Sequence, residues 1–127
     1  EIILNGGLET LDQALAESAG LDGAMIGRAA YHDPWVLARV DSRIFAAPDP
    51  VATRHAALHA YRPYLQARLD EGVSLHSMTR HVLGLFQGLP GARHWRRILS
   101  EKSNRPGAGL DVLDEASAAV PQQDEAA

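Results

Sequence analysis

Two short turns of small residues have the composition of a phosphate-binding site. Asn5-Gly6-Gly7 follows the apolar run at residues 2–4, and Gly27-Arg28 follows a second apolar run at residues 23–26. Glycine lets a bound group approach the backbone closely, and helix N-termini offer free N–H groups to anions. The Arg28 guanidinium can bind a phosphate in a bidentate manner. The alternative is that both segments are ordinary tight turns and that Arg28 pairs with an acid.

A cluster of arginines is the second feature with chemical potential. Residues 92–100 are predicted to form a helix, and at about 100° per residue its large side chains separate onto two sides. The arginines on one side are Arg93, Arg96 and Arg97, and the apolar residues on the other are Trp95, Ile98 and Leu99. Because arginine matches phosphate geometry, the favoured ligand is an RNA or DNA backbone. The alternative is a solvated or acid-paired face.

The charges along the chain are unevenly distributed. The net charge is −4, which by itself argues against a nucleic-acid partner. Residues 76–106 nevertheless carry six Lys or Arg side chains against one acid, whereas residues 107–127 carry five acids and no base. A local basic segment can steer an anion on an acidic protein. Arg80 belongs to this segment, so we include it with the arginines of the predicted helix.

Several classes of site are excluded or unsupported by composition. With no cysteine among the 127 residues, disulfides, thiolate zinc sites and a cysteine nucleophile are excluded from this stretch. Six histidines are present, but no motif supplies the third or fourth ligand of a zinc site. No apolar run is long enough to cross a membrane. We therefore predict no metal, no membrane association and no catalytic residue here.

The elements that must position the glycine turns follow the order strand, helix, strand, helix. This order is typical of a βαβ unit with a parallel sheet, whose strands are usually buried on both faces. Thr10 is expected to cap the first helix, and Pro34 to begin the helix after the second turn. Eight-stranded βα barrels often bind phosphate in the loops after their last two strands. The pattern fits the last two βα units of a TIM (β/α)8 barrel, which as a whole needs about 250 residues.

The chain changes character at the Pro-rich junction 46–50, where we place a domain boundary after residue 47. Asp49 and Pro50 are expected to begin a helix that runs to Gly72, with a kink near Tyr61 caused by Pro63. Ser74 is expected to cap a further helix whose apolar positions extend to Phe86. Helices at 92–100 and 110–120 complete an all-α second part, and residues 121–127 are predicted to be a disordered tail.

Three stretches resemble the tRNA-dihydrouridine synthases, and within them the A subfamily. They are Asn5-Gly6-Gly7, DGAMIGRAAYHDPW at residues 22–35, and TRHVLGLFQGLPGARHWRRILSE at residues 79–101. The resemblance implies an N-terminal FMN-binding barrel and a C-terminal helical tRNA-binding domain. It implies reduction of the C5–C6 bond of a uridine in the tRNA D-loop, with FMN recharged by NADPH.

The resemblance also assigns residues and domains. It implies that Asn5, Gly6, Gly7, Gly27 and Arg28 hold the FMN phosphate, and that Arg93 and Arg96 face tRNA; we add Arg97 and Arg80 as further candidates. Residues 1–47 would end the barrel, 48–120 would form the tRNA-binding domain, and 121–127 would be the tail.

The resemblance places the catalytic cysteine of the family earlier in its barrel, so the chain is expected to be a C-terminal fragment. The intact enzyme is expected to be monomeric and cytoplasmic. Two other hypotheses stay open at this point. One is a non-catalytic helical RNA-binding module with a vestigial phosphate-binding βαβ unit. The other is a phosphate-binding α/β protein with an unrelated helical interaction domain.

Overall fold

The structure is a computed structural model that describes residues 1–122. The chain divides into two units, Glu1–Pro50 and Val51–Ala127. The division lies three residues beyond the boundary predicted from the Pro-rich junction. None of the helices in residues 1–122 is both long and apolar enough to cross a membrane. The predicted disordered tail lies, from residue 123 onward, outside the described residues.

A parallel pair of strands forms the centre of the first unit. Strand β1 (Ile3–Asn5) and strand β2 (Gly23–Met25) are joined by helix α1 (Leu11–Glu17), and Ile3 pairs with Gly23. Thr10 caps α1 as predicted, since its side chain accepts a hydrogen bond from the Gln13 backbone N–H at 3.0 Å. Leu11 and Ala14 face inward from α1. The predicted βαβ unit with a parallel sheet is therefore confirmed.

The expected burial of these strands on both faces is not observed. Ile2 and Ile3 are 62% and 48% exposed, and Met25 is 44% exposed. Within residues 1–122 the sheet contains only these two strands, so no further strand covers their outer edges. The two strand regions thus carry more apolar side chains than the described part of the first unit buries.

The region after β2 is divided into three short pieces. Helix α2 (Arg28–His32) follows directly, and the segment that Pro34 begins is a 3-10 helix, Pro34–Leu37. Helix α3 (Val40–Phe45) is separate, with Arg39 at its N-cap. The single helix predicted to begin at Pro34 is therefore wrong in its length.

The start of the second unit also differs from the prediction. Helix α4 (Arg54–Asp70) begins at Arg54, and its cap is Thr53, which accepts a hydrogen bond from the Ala56 N–H at 3.0 Å. Asp49 does not cap it, because its carboxylate instead binds the backbone N–H and the hydroxyl of Ser42. The helix continues through Pro63 to Asp70.

Three further helices complete the second unit. They are α5 (Leu75–Thr79), α6 (Ala92–Lys102) and α7 (Leu110–Ala118). Ser74 caps α5 as predicted, but α5 ends at Thr79 rather than continuing to Phe86. Residues 80–91 form consecutive turns with hydrogen bonds from residue i+3 to residue i, which place Leu85 and Phe86 in the core without a continuous helix.

The core of the second unit is built around Trp95 and Phe86. Both side chains are fully buried, and their rings meet edge to face with centroids 4.8 Å apart. The Trp95 indole N–H donates to the Val82 carbonyl at 3.3 Å, which fixes α6 against the turns at 80–91. Leucines from α4 to α7 enclose the ring pair: Leu58, Leu65, Leu75, Leu99 and Leu113.

Candidate functional site

The first unit contains a cavity of about 560 Å³ at the ends of its two strands. The lining includes every residue that the sequence analysis assigned to a phosphate: Asn5, Gly6, Gly7, Gly27 and Arg28. In a parallel pair the carboxyl ends of both strands lie at the same edge of the sheet. The two turns consequently meet, although about twenty residues separate them in the sequence.

The first turn needs glycine because of its backbone conformation. Gly6 and Gly7 have φ values of +119° and +69°, a region that side chains with a Cβ adopt only at a cost. Apart from each glycine and its two chain neighbours, no described residue has an atom within 4 Å of a Cβ built at either position. The space in front of these two residues is therefore open, and the backbone there is accessible to a bound group.

Arg28 lies at the start of α2, on the same cavity, and its side chain is exposed. None of the acids within residues 1–122 forms an ion pair with it. The structure therefore does not support the alternative in which Arg28 pairs with an acid. A guanidinium without a partner beside an open glycine turn is suited to an anionic ligand group.

The sequence analysis missed part of this cavity. Ala29, His32 and Asp33 also line it. The sequence analysis assigns no role to Asp33, the residue before Pro34. The structure places one of its carboxylate oxygens, Oδ1, in a buried position without a hydrogen-bond partner among the described residues. No signal in the sequence distinguishes this carboxylate from that of a helix cap.

The arginine face of α6, defined here as Arg93, Arg96 and Arg97, lies opposite the core. Trp95 and Leu99 are buried, Arg93 and Arg97 are exposed, and Arg96 is half-buried. The segregation expected from the helical wheel is therefore present. Arg80 lies outside α6, at the end of α5, two residues before the Val82 carbonyl that binds Trp95.

Three arginines of this region contact glutamine or histidine side chains. Arg96 donates to the Gln87 side-chain oxygen at 3.5 Å, Arg97 lies 3.1 Å from His94 Nδ1, and Arg80 lies 3.3 Å from His81 Nε2. None of the ion pairs formed within residues 1–122 includes Arg80, Arg93, Arg96 or Arg97. No carboxylate within residues 1–122 thus neutralises these positive charges, which leaves them available to a polyanion.

The described residues hold no group of three or more His, Asp or Glu side chains that could bind a metal ion.

Two tyrosines of α4 form a further aromatic group. Tyr61 stacks on Tyr64 with ring centroids 5.4 Å apart. Burial raises the pKa of Tyr61, and the neighbouring Tyr64 raises it further. Tyr61 packs against the core, whereas Tyr64 is 53% exposed.

The FMN phosphate implied by the resemblance is compatible with the cavity. The open Gly6-Gly7 backbone suits a phosphate, as does Arg28, which forms no ion pair within residues 1–122. The chemistry of the donor set therefore matches the phosphate of the cofactor.

Comparison with known proteins agrees with these observations. A family model described as dihydrouridine synthase matches residues 1–122. A tRNA-dihydrouridine(20/20a) synthase of Vibrio cholerae is 48% identical over 123 residues, which are 97% of this chain and 38% of that protein. The proteins of the same name from Xanthomonas campestris pv. campestris and Yersinia pestis are each 47% identical, over 91% and 94% of this chain and 34% of their own length.

The chain thus spans between 34% and 38% of the length of these curated relatives. The family model, in contrast, covers the whole of the described structure, including both glycine turns and the arginine face. On this match, and on relatives nearly half identical along almost all of its residues, the chain belongs to the dihydrouridine synthase family.

Proposed function

We propose that this chain is part of a tRNA-dihydrouridine synthase, which reduces the C5–C6 bond of a uridine in the tRNA D-loop to 5,6-dihydrouridine. The proposal is carried by one observation: a single family-matched chain brings all five expected phosphate-site residues into one cavity and also displays an unneutralised arginine face. The names of its relatives support the same substrate class.

The first unit is proposed to form the last two βα units of a TIM barrel. Its strands are parallel and joined by a helix, and the cavity lies at their carboxyl ends, where barrels of this kind often bind phosphate. The exposed apolar side chains of Ile2, Ile3 and Met25 support this assignment, because strands inside a complete barrel are covered on both sides.

FMN is the proposed cofactor, with its phosphate at the glycine turns. Gly6 and Gly7 would offer backbone N–H groups at close range, with Gly27 beside them, and Arg28 would neutralise the phosphate charge. Asn5, at the end of β1, would position the first turn. The chemistry supplied by the bound group would be hydride transfer to the uridine ring, with NADPH as the source of reducing equivalents.

The second unit is proposed to bind tRNA through its arginine face and Arg80. These side chains would contact backbone phosphates, which position a substrate without reading its sequence. The catalytic cysteine expected for the family would belong to another part of the protein, since these 127 residues contain none. We propose a monomeric enzyme that acts in the cytoplasm.

The experiment compares the full-length protein that contains this chain with its Arg28→Ala variant. The wild-type protein should bind FMN, quench its fluorescence and form dihydrouridine in unmodified tRNA when NADPH is supplied. Arg28→Ala should weaken FMN binding by about 1.5–3 kcal/mol, the range for hydrogen bonds to charged groups. Absence of dihydrouridine in the wild-type reaction would refute the activity. Unchanged FMN affinity in the variant would refute the role of Arg28.

A further inference from the structure

The Arg97 side chain has two neighbours that can accept a hydrogen bond from it, one turn of α6 away on either side. His94 precedes it by three residues, and Glu101 follows it by four. Residues at these separations are neighbours on a helix, and at about 100° per residue the three side chains start within about 60° of one another. All three residues are exposed. Arg97 can therefore turn toward either neighbour.

In the structure Arg97 turns toward His94. Its Nη2 atom lies 3.1 Å from His94 Nδ1. Because a guanidinium has only donors, Nδ1 is the acceptor, and in this contact His94 is neutral with its proton on Nε2. Glu101 forms no ion pair with Arg97 or with any other base within residues 1–122. The acceptor that Arg97 uses is thus uncharged, whereas Glu101 would neutralise it.

The other charges on this side of α6 do not explain that orientation. Arg93 lies four residues before Arg97, and like charges at this spacing repel each other. Glu101 attracts the guanidinium from the opposite direction. Both charges therefore favour the Glu101 side, and the hydrogen bond to His94 is the described contact that opposes them.

We propose that His94 is a positioning residue for tRNA binding, which holds the Arg97 guanidinium away from Glu101 so that its charge stays available to a backbone phosphate. The proposal rests on the proposed function, because it takes tRNA as the ligand of the arginine face. His94 acts through Arg97 and need not contact the tRNA itself. Without His94, a long side chain must leave Glu101 and become ordered when tRNA binds, which costs affinity.

Titrations of the full-length protein that contains this chain with unmodified tRNA, at one low salt concentration, test the proposal. His94→Ala should weaken tRNA binding about two- to tenfold, the cost of ordering one long side chain on binding. His94→Gln should restore much of this loss, because its side-chain oxygen is also a neutral acceptor. His59→Ala is a matched control that should leave the affinity unchanged, since it removes an exposed histidine from α4.

Two double variants separate positioning from direct contact, since a double-mutant cycle measures the coupling between two side chains. In the Arg97→Ala background, His94→Ala should have no further effect, because no guanidinium is left to be held. In the His94→Ala background, Glu101→Gln should strengthen binding about twofold more than it does in the wild type. This is the effect of one ion pair between residues four apart on a helix.

Equal tRNA affinities of His94→Ala and the wild type would overturn the proposal. So would additive losses from His94→Ala and Arg97→Ala, which would mean that His94 contacts tRNA by itself. An equal gain from Glu101→Gln in both backgrounds would overturn it as well. Failure of the proposed function is distinguishable from these results: Arg97→Ala would then bind tRNA as tightly as the wild type, or the wild type would not bind it, and the role of His94 would be refuted together with that of the arginine face.

Discussion

At the scale of single residues, Asp49 illustrates how a side chain near the division between the two units stabilises the end of the first. Its carboxylate accepts hydrogen bonds from the Ser42 N–H at 3.0 Å and the Ser42 hydroxyl at 2.8 Å, and Arg39 lies 3.8 Å away. These two hydrogen bonds, the backbone one first, hold the pKa of Asp49 below its ordinary value of 3.8. Because the folded state prefers the charged carboxylate, Asp49 stabilises the fold above pH 3.8 and loses this effect as the pH falls through the lowered value.

The variant Asp49→Ala tests this linkage. We expect Asp49→Ala to be less stable than wild type at neutral pH, with the difference shrinking as the pH falls below 3.8. Amide exchange of the Ser42 N–H would report the change locally, and Asp41→Ala, one residue before Ser42, is a control of equal charge. A stability difference that stays constant across this pH range would show that the Ser42 bonds do not depend on the charge of Asp49.

At the scale of elements, Gly91 determines how α6 begins beside the end of α7. Gly91 has a φ of +88°, and a Cβ added there would lie 2.1 Å from the Ala119 carbonyl oxygen. Gly88 is a matched control, since its φ is +84° but nothing among the described residues lies within 4 Å of its Cβ position. Both substitutions to alanine carry the conformational cost of about 1–2 kcal/mol, and only Gly91→Ala adds the backbone collision.

We therefore expect Gly91→Ala to reduce the free energy of unfolding by at least about 1–3 kcal/mol more than Gly88→Ala, the usual cost of overpacking. Urea unfolding of the two variants measures the difference. Equal destabilisation would mean that α7 moves away from Gly91 without cost, and that the contact does not constrain α6.

The arginine face is a property of α6 as a whole, and its test is the salt dependence of tRNA binding. Each lost phosphate contact should reduce the magnitude of the logarithmic salt slope by about 0.7–0.9. Replacing Arg93 and Arg96 by alanine should therefore weaken tRNA binding and flatten its salt dependence. Thermal stability should remain nearly unchanged, because neither arginine is among the buried residues of α6. FMN affinity should also remain nearly unchanged, because neither lines the cavity of the first unit.

Trp95→Ala is a control on the same helix with the opposite expected effect, a loss of stability. It should cost about 3–5 kcal/mol of stability, since its ring is fully buried. Coinciding salt slopes for the wild type and the arginine double variant would show that this face of α6 is only solvated.

The elements also show which features a sequence reveals. Thr10 and Ser74 were predicted as caps because a cap depends on a hydroxyl three residues before an N–H, which is local information. The turns at 80–91 were predicted as helix because their apolar spacing fits a helix, yet Phe86 reaches the core through consecutive turns. Asp49 was assigned as a cap because its preference for Ser42, seven residues earlier, depends on the fold.

The same distinction applies to the candidate site. The residue types and spacing of both glycine turns were sufficient to predict parallel strands whose ends lie together, and both turns line one cavity. That they bind a phosphate stays a prediction. Asp33 could not be found in this way. Its buried oxygen without a hydrogen-bond partner among the described residues is a property of the packed structure, which the sequence does not contain.

At the scale of the whole molecule, the division into Glu1–Pro50 and Val51–Ala127 predicts where a protease can enter. Residues up to Asp49 are held by side-chain and backbone bonds, including the Ala47 N–H to the Asp41 carbonyl at 3.1 Å. From Thr53 onward α4 is capped and hydrogen-bonded. Between these points residues 50–52 belong to neither a helix nor a strand, so a protease must distort little structure to bind them.

Brief digestion of the native protein with proteinase K, which cleaves after many residue types, should cut first between Pro50 and Thr53. The C-terminal product should then persist, because its core of Trp95, Phe86 and surrounding leucines lies entirely within the second unit. Mass spectrometry of the early products locates the cut. Earlier cleavage in the turns at 80–91, with the 50–53 segment intact, would show that these turns open more readily than the segment between the units. Segments with few buried contacts open most readily. Such a result would therefore mean that the two units differ in how densely they pack, but that the second unit does not stay folded independently of the first.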